Sequence, residues 1–169
     1  MEAMRYSRLR EKFAYLLVTA MDADSEHNAH PAFVEILKQL SPDEAKILEI
    51  LPQFKRYEPI IKLGFTRGAE GHFVIATNIS TLGERAFCDF PDKTPIYIDN
   101  LCRLGLCEIP PLRHLVNYGI YDKLHDLDIV KSSIAELKEG EEIAITHQMF
   151  GITAFGDQFR KACLSDGIE

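Results

Sequence analysis

Positive charge and tryptophan are scarce in this chain of 169 residues. It contains no Trp, and its 19 Lys and Arg residues are outnumbered by 26 Asp and Glu residues, giving a net charge of −7 with histidine neutral. An acidic molecule is repelled by phosphate backbones and anionic lipid headgroups unless its cations are gathered in one place. The composition therefore disfavours binding to nucleic acid or to an anionic membrane as a property of the whole chain.

Paired cysteine motifs are also missing. The chain has four cysteines, Cys88, Cys102, Cys107 and Cys163, and four residues separate the closest two. This spacing supplies neither a Cys-x-x-Cys pair nor the two facing pairs of a zinc finger. We expect reduced, buried thiols in a cytoplasmic protein.

Long hydrophobic runs are absent from the N-terminal region. The apolar stretch Phe13–Met21 is too short to span a membrane, and it follows charged residues that include Arg10 and Lys12. It predicts a core helix rather than a signal peptide or a membrane span. With 46% hydrophobic residues, we expect one globular domain over residues 1–169, located in the cytoplasm.

Motifs that carry chemistry are weak or missing. The glycines of Gly64–Gly71 match neither a phosphate-binding loop nor a dinucleotide-binding pattern, and they suit a hairpin turn. His27 and His30 follow acidic residues at positions 22 to 26, which suggests a metal cluster, but a polar loop with capping roles is the alternative. No nucleophile elbow or recognisable cysteine frame occurs. We therefore assign no catalytic, cofactor-binding or metal-binding residue and no cofactor.

Residues 1–52 predict a helical N-terminal part. Apolar residues at helical spacing indicate a first amphipathic helix: Leu9, Phe13, Leu16, Leu17 and Ala20. Pro31 suits the first turn of a second helix, whose apolar stripe runs from Phe33 to Leu40. Ser41-Pro42-Asp43-Glu44 is a capping box with proline at the first helical position. It predicts a third helix that stops at Pro52.

Residues 59–77 predict a β-hairpin inserted between two halves of the chain. Pro59–Thr66 and Gly71–Thr77 are rich in β-branched and aromatic residues, and Arg67–Glu70 lies between them as a turn. Residues 81–91 give no clear signal and stay unassigned.

Residues 92–165 have the order of elements found in a winged helix. Thr94 as N-cap and Pro95 at the first helical position predict a helix that runs to Leu104. Gly105 suits the left-handed residue after a helix end, and Leu106–Ile109 predicts a short strand.

The last part of the chain completes this pattern. A helix with one apolar face is predicted before Gly140, and that face contains Leu127, Val130, Ile134 and Leu137. Glu142–Thr146 predicts a strand, Met149–Ile152 its return, and Thr153 caps a last helix. The predicted fold class is thus α+β, with a helical N-terminal half and a winged-helix-like C-terminal half.

Charge makes the winged-helix part a poor match for DNA. The candidate recognition helix, Asp92–Gly105, is neutral, and the candidate wing, Lys138–Gly151, has a net charge of −2. Binding to DNA requires several phosphates to be neutralised by Lys or Arg. We interpret this part as a scaffold.

Basic residues are gathered near the N-terminus, at Arg5, Arg8, Arg10 and Lys12. We interpret them as the solvated face of the first helix.

One apolar and aromatic group has two interpretations. It comprises Tyr97, Leu101, Leu104, Leu112, Leu115, Val116, Tyr118 and Tyr121. Burial in the core is the first interpretation, and an exposed loop at Tyr118–Tyr121 that docks a partner is the second.

Several blocks of the sequence stand out, namely LREKFAYLL at residues 9–17, AMD at 20–22, HPAFVEILKQLSPDEAKIL at 30–48, NLCRLGLCEIP at 100–110 and TAFGDQFRKACL at 153–164. In this order they resemble the bacterial abortive-infection alpha family. The resemblance covers nearly the whole chain. It implies a part in phage defence, in which an infected bacterium limits phage spread at its own cost. It supplies no catalytic residues, and many members look longer, with an extra segment before the first helix.

These observations lead to one main hypothesis and two alternatives. The main one is a non-enzymatic, cytoplasmic phage-defence module that acts through protein contacts, including self-association through the amphipathic helix Arg5–Ala20. The first alternative is a winged-helix regulator that binds nucleic acid. The second is a small metal-dependent nuclease with a dispersed site.

Overall fold

The computed structural model describes residues 31–164, in which short helices surround a sheet. The helices are α1 (Ala32–Leu37), α2 (Pro42–Ile50), α3 (Leu82–Arg85), α4 (Thr94–Arg103), α5 (Asp122–His125), α6 (Asp128–Ala135) and α7 (Ala154–Cys163). The strands are β1 (Glu58–Arg67), β2 (His72–Ile79), β3 (Cys107–Glu108) and β4 (Glu141–Ile152). Turns of 3₁₀ helix lie at Gly68–Glu70, Pro91–Lys93 and Tyr118–Tyr121.

The sheet is antiparallel, with the strand order β2-β1-β4-β3. Its centre is the pairing of β1 with β4, whose register runs from Glu58 opposite Phe150 to Arg67 opposite Glu141. The short strand β3 pairs with the end of β4, where Cys107 lies opposite Ile152. The hairpin strand β2 forms the other edge.

Neighbouring residues of β1 point into two different hydrophobic clusters. Ile60 belongs to the larger cluster, which contains Phe150 and Ile152 of β4 together with residues of α1, α2, α4 and α7. Ile61 belongs to the smaller cluster, in which the strands meet Tyr121 and residues of α5 and α6. Because successive strand residues face opposite sides, the sheet separates the two clusters.

Two local signals for helix ends, at Ser41 and at Gly105, are confirmed. The backbone N–H of Ser41 donates to Glu44 Oε2 at 2.6 Å, and the Glu44 N–H donates to Ser41 Oγ at 3.3 Å, which completes the predicted capping box. At the end of α4, Gly105 has a φ of 72° and its N–H donates to the Cys102 carbonyl at 3.0 Å. Helix ends of this kind favour glycine because its backbone enters the left-handed region without strain.

The start of α7 lies directly against the turn that follows α4. Thr153 Oγ1 accepts the Gly156 N–H at 2.9 Å, as the capping prediction requires, and donates to the Gly105 carbonyl at 2.7 Å. A Cβ atom on Gly156 would lie 1.9 Å from the Leu106 carbonyl oxygen. Close packing of two backbones therefore depends on a residue without a side chain.

Three predictions about the sheet and about the start of α4 are wrong. Glu141–Ile152 is one continuous strand in the sheet rather than a hairpin wing with a return at Met149. The hairpin at residues 59–77 has the predicted strands. Its first strand, β1, pairs with β4, so the hairpin is part of the central sheet and is not an insertion. Thr94 is not an N-cap, because the preceding 3₁₀ turn leads directly into α4 and Thr94 Oγ1 donates to the Pro91 carbonyl at 2.6 Å.

The remaining helix predictions have mixed outcomes. Helix α6 covers part of the predicted segment, and Val130 is buried as expected, but Ile134 is 47% exposed. The helix predicted over Arg5–Ala20 and the cluster at His27 and His30 lie outside the described residues.

We expect Gly156→Ala to destabilise the fold, because the new methyl group would overlap the Leu106 carbonyl. Overpacking of this kind costs about 1–3 kcal/mol, which urea denaturation would measure as a lower midpoint. Gly119→Ala is the matched control, since the nearest atom to its Cβ would be 3.4 Å away. Equal midpoints for the two variants would contradict this account of the α7 contact.

Candidate functional site

A buried carboxylate organises the turn formed by residues 87–90, here named the Phe87 turn. Asp43, in the first turn of α2, is 4% exposed and accepts the backbone N–H groups of Asp89 at 2.9 Å and Phe90 at 3.0 Å. The Tyr97 hydroxyl donates to the same carboxylate at 3.1 Å. Burial alone would raise the pKa of Asp43, but these hydrogen bonds and one from Lys46 hold that pKa below its usual value.

Lys46 closes the other side of the Phe87 turn. Its Nζ donates to Asp43 Oδ1 at 2.7 Å, to Asp89 Oδ2 at 3.0 Å and to the Phe87 carbonyl at 3.3 Å. Burial would lower the pKa of Lys46, but the two carboxylates raise it above its ordinary value. Helix α2 therefore fixes the Phe87 carbonyl and the amide groups of Asp89 and Phe90.

The Phe87 turn presents aromatic side chains to solvent. Phe87 is 82% exposed and has a φ of 52°, while Phe90 is 54% exposed and has Lys93 Nζ 4.4 Å from its ring centroid. A bulky side chain in the left-handed region is uncommon, and that conformation costs roughly 1–2 kcal/mol. The hydrogen bonds from α2 thus hold a strained backbone that points a large apolar ring into water.

A second group of polar side chains lies on the smaller hydrophobic cluster. His147 of β4 and His125 of α5 approach through their Nε2 atoms at 2.9 Å, so one ring donates and the other accepts. The ring of Tyr121 lies 4.5 Å from that of His147, and the ring of Tyr118 lies 5.3 Å from it. Tyr118 OH and His114 Nε2 are 2.8 Å apart.

This histidine and tyrosine group connects the chain before α6 to the sheet. The buried Tyr121 hydroxyl donates to the Gln148 carbonyl at 2.8 Å and accepts the Leu115 N–H at 2.9 Å. Burial lowers the pKa of His147, and the nearby His125 and His114 lower it further. A pKa below 6.5 favours the neutral form of His147 at pH 7, and the hydrogen bond requires that the accepting imidazole be neutral. The geometry suits a structural connection.

The four cysteines are thiols, and three of them have raised pKa values. Burial raises the pKa of Cys88 to about 11 and that of Cys102 to about 11, and it raises the pKa of Cys107 well above its ordinary value. Cys107 and Cys163 are buried as expected, whereas Cys88 and Cys102 are half-buried. A thiol that stays protonated at neutral pH is a poor nucleophile.

The remaining candidates from the sequence are divided between core and surface. Tyr97 and Leu101 are buried, whereas Leu112 and Val116 are fully or almost fully exposed. The proposed docking loop is divided too, because Tyr118 is 54% exposed and Tyr121 is buried.

Polar side chains of the candidate recognition helix form hydrogen bonds within the protein. In α4, Asp99 accepts a hydrogen bond from Asn78 at 2.7 Å, and Arg103 donates to Asn100 at 2.9 Å and to Gln39 at 3.0 Å. Within residues 31–164, no three His, Cys, Asp or Glu side chains converge in a way that could hold a metal ion.

Sequence reasoning did not find the Phe87 turn, which lies in the segment left unassigned. The Asp43 carboxylate that holds the turn was recognised only as part of a capping box. The sequence offers one signal, the succession of Phe87, Asp89 and Phe90 before Pro91. Such a turn-forming stretch does not reveal which side chains are exposed.

Comparison with known proteins identifies the family. A sequence model described as abortive infection alpha matches residues 1–163. The chain belongs to the abortive infection alpha family. The resemblance seen in the sequence is thereby confirmed, and membership indicates a role related to abortive infection. No curated protein matches the chain.

A structural match to another bacterial protein is also found. An uncharacterized protein from the hydrocarbon-degrading marine bacterium Alcanivorax borkumensis SK2 is 16% identical, with a TM-score of 0.49, covering 86% of this chain and 99% of that one. Among the described helices of this abortive infection alpha protein, none is both long and apolar enough to cross a membrane.

We expect Phe87→Gly to leave the free energy of unfolding unchanged or to raise it by up to about 1 kcal/mol. Glycine removes the strain of the left-handed backbone, and its greater freedom in the unfolded chain offsets part of that gain. Little burial is lost, since the side chain is 82% exposed. Urea denaturation measures the change, and a clear loss of stability would show that the ring packs against the protein.

We expect His147 to make the stability of the protein pH-dependent. Its folded-state pKa lies below the ordinary value of 6.5, so its contribution is complete above pH 6.5 and falls as the pH drops below that value. Urea denaturation at pH 5.5 and 7.5 should show a smaller pH effect in His147→Gln than in the unchanged chain. His72→Gln, at an exposed histidine of β2, is the control. The prediction is contradicted if His147→Gln and the unchanged chain lose equal stability at pH 5.5.

Proposed function

We propose that this abortive infection alpha protein acts in phage defence as a non-enzymatic, cytoplasmic module that works through protein contacts. The observation that carries the proposal is the Phe87 turn. Buried polar groups of α2 hold an exposed aromatic side chain in a fixed and strained conformation. Aromatic residues dominate the energy of protein interfaces, and a surface that is already ordered loses less entropy on binding.

The polar groups of the described region support a non-enzymatic role. Every buried side-chain nitrogen or oxygen within residues 31–164 has a hydrogen-bond partner. The thiols with raised pKa values are protonated at neutral pH, and His125 and His147 bond to each other. These groups serve packing and hydrogen bonding inside the protein.

The two alternatives make different demands on the molecule. A winged-helix regulator would need cations on α4 that face outward, but Arg103 is directed to Asn100 and Gln39. A metal-dependent nuclease would need converging carboxylates or histidines. Both alternatives remain hypotheses, and the contacts of the described region favour the protein-contact module over them.

Phage challenge of bacteria that express the full chain tests the proposal. We expect fewer plaques together with death of infected cells, and we expect Phe87→Gly to abolish both while the variant accumulates to the same level. Leu112→Gly is the matched control, because Leu112 is also fully exposed and has a positive φ of 58°.

Two results would contradict the proposal. One is unchanged plaque counts with the unmodified chain. The other is an activity on RNA or DNA, with or without Mg²⁺, that a single polar substitution such as His125→Gln abolishes without loss of folding.

A further inference from the structure

We infer that the Phe87 turn inserts its aromatic side chain into an apolar pocket of a partner protein, and that the rim of this pocket carries Lys or Arg. This inference rests on the proposed function and names the partner's chemistry. It follows from three features of the turn: its anchoring, its exposed aromatic residues and the charges around it.

The anchoring makes the Phe87 turn a preformed surface. The Phe87 carbonyl is held by Lys46, the Cys88 amide by the Gly83 carbonyl, and the Asp89 and Phe90 amides by Asp43. The Phe87 N–H donates to the Glu84 carbonyl at 3.1 Å, which connects the turn to α3. A backbone held at both ends does not need to become ordered when it binds, so its contacts contribute fully to affinity.

The exposed rings give the Phe87 turn an apolar centre. Phe87 and Phe90 are 82% and 54% exposed, three residues apart. Packing does not explain the Phe87 ring, because the ring is exposed although its backbone is held at a strained φ of 52°. Strained backbone that the surrounding structure holds in place is found preferentially at ligand and partner sites.

The charges around the turn have a negative sum, because Glu84, Asp89 and Asp92 outnumber Arg85 and Lys93. The side chains of Glu84 and Asp92 form no ion pair with another residue within 31–164, while Lys46 is already bound to two carboxylates. The ammonium group of Lys93 lies over the Phe90 ring. An apolar centre with an acidic rim is complementary to an apolar pocket with a basic rim.

The same charges disfavour a membrane as the partner. The inner leaflet is anionic and attracts basic segments, whereas this chain carries a net charge of −7 and the exposed Glu84 and Asp92 lie on either side of its turn in the sequence. Lys93, the cation over the Phe90 ring, is outnumbered by these two carboxylates and gives little attraction to such a surface. A protein surface satisfies both the apolar and the electrostatic requirement.

Selection of peptides from a random displayed library against the purified full chain tests the inference without knowledge of the natural partner. We expect enriched peptides that combine aromatic or aliphatic residues with Lys or Arg. Their affinity should fall at least about tenfold with Phe87→Gly. It should fall about threefold or more with the double variant Glu84→Gln and Asp92→Asn, and also as salt is raised from 50 to 500 mM. Leu112→Gly should bind like the unchanged chain.

The inference would be overturned if no enriched peptide depended on Phe87, or if the peptides that bind the turn were acidic or uncharged. It would also be overturned if Leu112→Gly lost as much peptide binding as Phe87→Gly, or if the chain bound phosphatidylglycerol vesicles through Phe87. Peptide binding is measured without phage infection. A chain that binds basic, apolar peptides but gives no phage protection would therefore contradict the proposed function alone, and the reverse result would contradict this inference alone.

Discussion

The pairing of β1 with β4 is the constraint on which the rest of the described structure depends. It joins residues 58–67 to residues 141–152 along the whole of β1, and both other strands attach to this central pair. Because neighbouring strand residues face opposite sides, the pairing creates both hydrophobic clusters at once. It also places His147 of β4 against Tyr121 and against His125 of α5. Contacts between such distant parts of the chain must offset the entropy of closing a long loop, and the clusters on both faces provide that stabilisation.

A second organising feature is the carboxylate of Asp43, which is buried yet fully bonded. An unpaired buried charge would be strongly destabilising, so its partners have to be supplied by the fold. Here they come from Lys46, Tyr97 and two amide groups of the Phe87 turn. The same hydrogen bonds that satisfy the carboxylate therefore determine the conformation of the exposed turn. Core and surface are coupled through one side chain, and a change at Asp43 would affect both.

The two polar groups of the described region differ in what they offer to other molecules. The histidine and tyrosine group directs its hydrogen bonds inward, between the Tyr118–Tyr121 turn, α5 and β4. The Phe87 turn directs its hydrogen bonds inward as well, but it places apolar rings outward. Phe87, at 82% exposure, is the most exposed phenylalanine or tyrosine ring of the two groups. This contrast is the basis of our proposal that the chain acts through contact with a partner.

The sequence by itself determined the features that depend on neighbours a few residues apart. Three of these features are helix ends: the capping box at Ser41, the glycine end of α4 and the Thr153 cap. Each depends on hydrogen bonds between residues in one or two turns of helix, so its signal is local. The hairpin strands β1 and β2 follow each other in the sequence, so their pairing is signalled by one contiguous segment. The family could be recognised in the same way, from contiguous blocks. Tertiary structure decided that β4 is a single strand, that His125 meets His147 and that Phe87 is exposed. Those outcomes depend on residues far apart in the chain, because a local pattern specifies neither a strand's partner nor the face of a turn that solvent reaches.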